Sequence, residues 1–203
     1  MIHNLLSKLL PLALILQVQG AAAESFAKDI VFAAIERTKQ EVRYDGRYII
    51  IAYPNGDVPD NIGVCTDVVI RSYRAIGVDL QQLVHEDMAS NFSAYPSKRI
   101  WGLNATDRNI DHRRVPNLQV FFSRHGQVLP VTTQGKDYQP GDLVTWVLPG
   151  NLPHIGLVSD KKSPGSGDPL IVHNIGAGPS LDDMLFSYKI TGHYRYVPEK
   201  YKE

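Results

Sequence analysis

Cysteine is nearly absent: 203 residues contain one, Cys65, so no disulfide can form within the chain. Net charge is absent too. With 21 basic and 21 acidic side chains, the protein has no overall field to draw it to nucleic acid or an anionic membrane, so a partner must be recognised by local chemistry. Internal repeats, linkers and low-complexity tracts are also missing, which excludes repeat and array architectures.

The first 23 residues differ from the rest. Lys8 leads into the apolar run Leu9 to Val18, and Gly20-Ala21-Ala22-Ala23 supplies the small residues a signal peptidase reads before Glu24. Residues 1–23 read as a cleaved export signal. A membrane anchor is the alternative, but the run is shorter than the roughly 20 apolar residues a spanning helix needs, and it contains Pro11. The mature chain is therefore expected to be periplasmic or secreted, with no stable membrane insertion after cleavage. Residues 24–203 are expected to form one domain whose core needs no disulfide staples. Nothing in the sequence asks for an oligomer, so a monomer is expected, without metal or other cofactor.

A lone cysteine in an oxidising compartment is either buried and inert or used, because an exposed idle thiol is oxidised or forms mixed disulfides. Its surroundings decide between the two. Ser25 to Val42 has helical spacing, Tyr48 to Tyr53 reads as a short strand, and a loop with Pro54-Asn55-Gly56 follows. From Cys65, the residues Val68, Val69, Ser72, Tyr73 and Ile76 again have helical period and Gly77 is a stop, so Cys65 opens a helix. A second helix is expected from Leu80 to about Ala89. Ser90 to Asn117 is polar and without clear period, a kind of segment that often borders a binding site. Strands are expected at Leu118 to Ser123, Asp142 to Leu148, His154 to Ser159, Leu170 to Asn174 and Ile190 to Val197. Helices first and strands later give an α+β domain with an antiparallel sheet.

The start of a helix lowers a thiol's pKa and offers N–H groups to an oxyanion, so Cys65 has the placement of a nucleophile. Asp67 in the first turn is expected to cap the helix or contact substrate. His154 opens a strand that follows Gly141-Asp142-Leu143-Val144, and His173 lies on the next strand, where it could orient the first imidazole. By alternation only one of His173 and Asn174 can face the site. In Asp111-His112-Arg113-Arg114 the two arginines could hold carboxylates, and the alternative is a solvated charged loop. His85-Glu86-Asp87 invites a metal reading, yet no matching ligands occur at a recognised spacing, and these groups more simply finish a helix.

Together these features resemble the NlpC/P60 branch of papain-like cysteine peptidases: a cysteine opening a helix, a histidine opening His154-Ile155-Gly156-Leu157-Val158, and a polar residue on the following strand. Gly63-Val64-Cys65-Thr66-Asp67-Val68-Val69, Asn109 to Asn117 and His173-Asn174-Ile175-Gly176 resemble a bacterial family catalogued as domain of unknown function 1287. The resemblance implies N-terminal helices packed on a C-terminal antiparallel sheet, and hydrolysis of cell-wall peptides. It also implies Cys65 as nucleophile, His154 as base, His173 as the residue orienting the base, and Tyr53 in the substrate groove, with an edge-strand aromatic as the alternative for Tyr53. Typical wall peptidases have Asp before and Ser after the cysteine, where this chain has Val64 and Thr66. Asp67 and Asp111 are the candidates to replace that aspartate in binding the substrate's amine, beside a groove that would include His112 and Arg113.

The expected activity is thus thiol-dependent hydrolysis of amide bonds in peptidoglycan stem peptides. Acyl transfer through the same thioester is a second reading, separated by product masses. A noncatalytic wall-binding module is a third, and it expects a Cys65 that is sluggish towards thiol probes and dispensable for the biological effect.

Overall fold

The computed structural model describes residues 24–202. The stretch read as an export signal lies outside the described residues. Helix α1 spans 24–37 and buries Phe26, Ile30, Val31 and Ala34, a stripe at helical spacing. Strand β1, Arg43–Tyr44, then runs parallel to β2, Ile62–Gly63, pairing Tyr44 with Gly63.

Tyr48 to Tyr53, expected as a strand, is irregular chain. Side chains, not a neighbouring strand, satisfy its backbone: Asn109 Oδ1 accepts the Ile51 N–H at 3.1 Å, and Gln81 Nε2 donates to the Ala52 carbonyl at 2.8 Å. A β-rich composition makes a strand only where a partner edge is available.

Helix α2, Cys65–Ala75, is buried from Cys65 to Tyr73. It ends where the sequence places a stop. Gly77 takes a left-handed φ of 75°, and the N–H groups of Gly77 and Val78 return to the carbonyls of Arg74 and Tyr73 at 2.8 and 2.9 Å. Helix α3, Leu80–Asn91, starts on Asp79, whose carboxylate accepts the Gln81 N–H at 2.9 Å. The unpatterned segment contains the short helix α4, Ser97–Trp101.

Leu118 to Ser123 is helix, not strand: it lies inside α5, Val115–His125. Its buried residues Val115, Leu118, Phe121 and Phe122 recur at helical intervals, and Pro116 in the first turn is a helix-start signal that outweighs the local β propensity of Val and Phe.

Six antiparallel strands form the sheet: β3 (Gln127–Val128), β4 (Leu143–Leu148), β5 (Leu152–Lys162), β6 (Pro169–Asn174), β7 (Pro179–Asp182) and β8 (Lys189–Arg195). Their order is β3-β8-β4-β5-β6-β7. Alternation sends Leu143, Ile155, Leu157, Val172 and Tyr194 into a core shared with the helices. Val144, Trp146, Val158 and Ile171 point the other way, against Tyr138, Met184 and Leu185. The architecture is α+β with helices over one face of an antiparallel sheet. No helix among the described residues is long and apolar enough to cross a membrane.

Candidate active site

Cys65 is the first residue of α2, and α2 lies across β5 and β6. Valine at 64 has no polar group with which to cap the helix. Asp67 reaches back instead, accepting the Val64 N–H on Oδ2 at 2.7 Å. Gly63 permits this: a Cβ there would lie 3.2 Å from Asp67 Cβ.

The register of β5 with β6 reaches Leu157↔Val172 and is not continued towards Ile155. There the backbone N–H groups of Ile155, of Thr66 and of Cys65 itself lie near enough to the Cys65 sulfur to favour its thiolate. Burial, with the charge of a Cys65 thiolate next, pushes Tyr44 up to about 12.

Cys65 is 4 % exposed. Burial pushes its pKa up to about 11, and the negative charge of Asp67 adds to the rise, while the three N–H groups oppose it. The lowering expected from the helix start is present but is outweighed by desolvation.

His154 sits next to Ile155, and its Nε2 lies 3.0 Å from His173 Nδ1. His173 Nε2 lies 3.0 Å from Asp182 Oδ2, an oxygen that also accepts the Ser180 hydroxyl at 2.6 Å. Gly156 makes the close strand approach possible: a Cβ there would be 2.6 Å from Ile171 Cγ2 and 3.1 Å from His173 Cβ.

The relay fixes the protons. An ionised Asp182 only accepts, so His173 donates from Nε2 and, when neutral, keeps a lone pair on Nδ1. That lone pair takes the Nε2 proton of His154, which leaves the basic lone pair of His154 on Nδ1. No hydrogen bond joins the sulfur to either imidazole among the described residues: Ile155 packs in the helical core with Cys65, while the preceding residue, His154, packs on Trp146.

Burial holds His154 down to about 3, with His173 adding to the effect, and burial also lowers His173 against the pull of Asp182. Resting thiol and imidazole are both neutral at pH 7.

Buried His112 is likewise held down to about 3, by desolvation first and then by Arg113. In the unfolded chain such histidines take up a proton near 6.5, whereas in the folded chain they do so only near 3. Between those values the unfolded state binds more protons, so the stabilisation is complete above 6.5 and is lost as pH falls. We expect urea unfolding to weaken from pH 7 to pH 4 by about 1.4 kcal/mol per pH unit for each histidine involved. His112→Asn should flatten the slope. Equal stability at both pH values would contradict the burial assignment.

The remaining residues of interest have internal partners. Arg113 Nε and Nη2 bond Asp67 Oδ1 and Oδ2 at 2.8 and 2.9 Å, with both side chains buried. Thr66 Oγ1 donates to the Arg113 carbonyl at 3.1 Å. Asp111 is buried and accepts the Asp107 N–H at 2.5 Å and Arg114 Nη1 at 3.0 Å, and Arg114 stacks over Trp101. The segment 111–114 is therefore neither a solvated loop nor an open carboxylate clamp: Asp67, Asp111 and Arg113 are committed to internal bonds, and His112 is buried. Tyr53 packs edge-to-face on His85 at 5.1 Å with Arg108 over its ring. The tyrosine on which the charge of a Cys65 thiolate acts is Tyr44. Asp87 is taken up by Arg124 and the Tyr95 hydroxyl.

His173 faces His154, and Asn174, on the opposite side of β6, lines a cavity beside the start of α2. Sequence reasoning missed Asp182 and Tyr44. Ser180 and Asp182 alternate, and β6–β7 register pairs Ser180 with His173, but a strand of four residues gives little pattern to read.

A family described as "Domain of unknown function (DUF1287)" matches residues 31–196, a span that holds Tyr44, Cys65, His154, His173 and Asp182. "Uncharacterized protein YijF" of Escherichia coli (strain K12) is 55% identical over 153 residues, covering 75% of this chain and 73% of that protein.

Proposed function

Because the chain belongs to the family described as Domain of unknown function (DUF1287), whose description carries no chemistry, we propose an activity from the site: an exported cysteine hydrolase that cleaves amide bonds. The observation that carries this reading is the Asp182–His173–His154 relay, which leaves a neutral imidazole with its free lone pair on Nδ1, on the residue next to Ile155, which packs in one core cluster with Cys65. Inert packing of a cysteine does not require such a relay.

In the proposed reaction His154 Nδ1 takes the Cys65 proton as the sulfur attacks the carbonyl carbon. The proton then passes to the departing amine as the carbon–nitrogen bond breaks, leaving a thioester. Water adds to the thioester with His154 again as base, and the acid and free thiol are released. N–H groups at the start of α2 are suited to hold the oxyanion. Because thiol and imidazole both rest neutral, the proton moves during attack, and kcat/KM should stay level across neutral pH, where neither group titrates.

The choice of wall peptides as substrate comes from the resemblance to NlpC/P60 peptidases, as does the papain-like assignment of the α+β fold. Mature protein incubated with purified sacculi or muropeptides should release new amine and carboxyl termini, detected by mass. Absence of new termini from every wall preparation would remove this substrate. Sluggish alkylation of Cys65 near neutral pH is expected of this buried thiol whether or not it is catalytic, so only turnover separates the readings.

Asp182→Asn tests the relay. An amide can donate to His173 and reverse the proton order, which puts the proton of His154 on the wrong nitrogen. The expected loss is about 100-fold in kcat, below the roughly 10⁴ found for a fully buried triad aspartate because Asp182 is half exposed. An unchanged kcat would show that the tautomer is set elsewhere.

A further inference from the structure

A cavity of about 390 Å³ lies against the start of α2, with Gly63, Val64 and Asp67 in one wall and Arg37, Arg74 and Asn174 among the others. Its hydrogen-bonding groups do not balance. Asn174 is fully buried, and its Oδ1 accepts the Gly176 N–H at 3.0 Å, so Nδ2 is the free donor, with no acceptor among the described residues. Arg37 Nε and Arg74 Nε are buried and equally unpartnered.

Two of the three carboxylates that line the cavity already have donors. Asp57 is bound by Arg71 and Arg74, and Asp67 by Arg113 and the Val64 N–H. Arg71 is largely taken up: Nε and Nη2 serve Asp57 and the carbonyls of Val58 and Pro59, and Nη1 donates to the Asp60 carbonyl with one N–H left over. Asp60 also lines the cavity, but its side chain belongs to an exposed residue. Buried donors without acceptors are costly, and an occupant carrying acceptor oxygens and negative charge removes that cost.

We propose that this cavity is a subsite for a carboxylate of the substrate, held by Asn174 Nδ2 and the Nε groups of Arg37 and Arg74. The inference rests on the proposed hydrolase reading for the word substrate, and its test does not depend on turnover. The subsite lies across β6 from the histidine relay, beside the start of α2. It also gives a role to Asn174, which alternation turns away from the relay.

The probes are glutarate and its uncharged counterpart glutaramide, titrated by calorimetry against the Cys65→Ala full-length mature protein. Glutarate should bind saturably and glutaramide should not. Arg37→Ala and Asn174→Ala should each weaken glutarate by about 10-fold or more, the loss expected when one charge-assisted bond is removed. In the active protein, Arg37→Ala should raise KM for wall peptides that keep their free carboxylates and leave KM unchanged for the same peptides amidated, which distinguishes a substrate carboxylate from a free one. Equal binding of acid and amide, binding unaltered in both variants, or no saturable binding would overturn the subsite. Saturable, variant-sensitive binding of glutarate in a protein that hydrolyses no wall peptide would uphold the carboxylate site and count against the hydrolase reading alone.

Discussion

Cys65→Ala is expected to bring turnover down to the level of background, a loss of about 10⁴-fold or more in kcat, with little change in folding. The fold should survive because alanine fits a site in the helical core that already accepts a small side chain, and the lost sulfur leaves only a small void. His154→Ala should cost nearly as much as Cys65→Ala. The double variant should be no slower than either single one, because nucleophile and base act in one step and their effects do not add. Product release by mass spectrometry measures the loss, and thermal unfolding measures the fold. Turnover within about 10-fold of the parent in Cys65→Ala, with the fold intact, would remove the thiol from the chemistry.

Legibility in the sequence followed the range of the interaction that decides each element. α2 and its stop at Gly77 were readable because period, start and left-handed glycine all act within one short segment. The four long strands were readable for the same reason. The segment Tyr48 to Tyr53 was not, since whether it pairs depends on distant Asn109 and Gln81, which claim its backbone. α5 carried its own signals, helical spacing and Pro116, but aromatic and β-branched residues masked them.

Within the site, Cys65, His154 and His173 stood out by residue type and local context, while Asp182 could be found only by knowing that a short edge strand lies beside β6. The thiol's electrostatics were the least legible. Helix position alone argues for a lowered pKa, yet the balance depends on how completely the tertiary fold dries the sulfur.

Breaking the Asp67–Arg113 pair should have the largest effect on stability. Both side chains are almost wholly buried, 3% and 2% exposed, and their two hydrogen bonds satisfy the pair internally. Arg113→Met leaves the Asp67 carboxylate in the interior with only the Val64 N–H, and Asp67→Ala leaves a buried guanidinium and an uncapped α2. Either should cost about 3–5 kcal/mol, because the surviving partner keeps its desolvation penalty without the compensating charge. The double variant Asp67→Ala/Arg113→Met removes both charges, so most of that cost should return, less about 1 kcal/mol for the lost cap.

Urea unfolding of the four proteins gives the coupling directly, and additive single effects would show that the pair is not a unit. The same double variant carries a consequence for the thiol. The charge of Asp67 is among the causes that raise Cys65, so its removal should bring the thiol down and speed alkylation by iodoacetamide at a fixed alkaline pH. An unchanged rate would mean that burial alone sets the thiol, and that the carboxylate beside the nucleophile serves only the helix and the arginine.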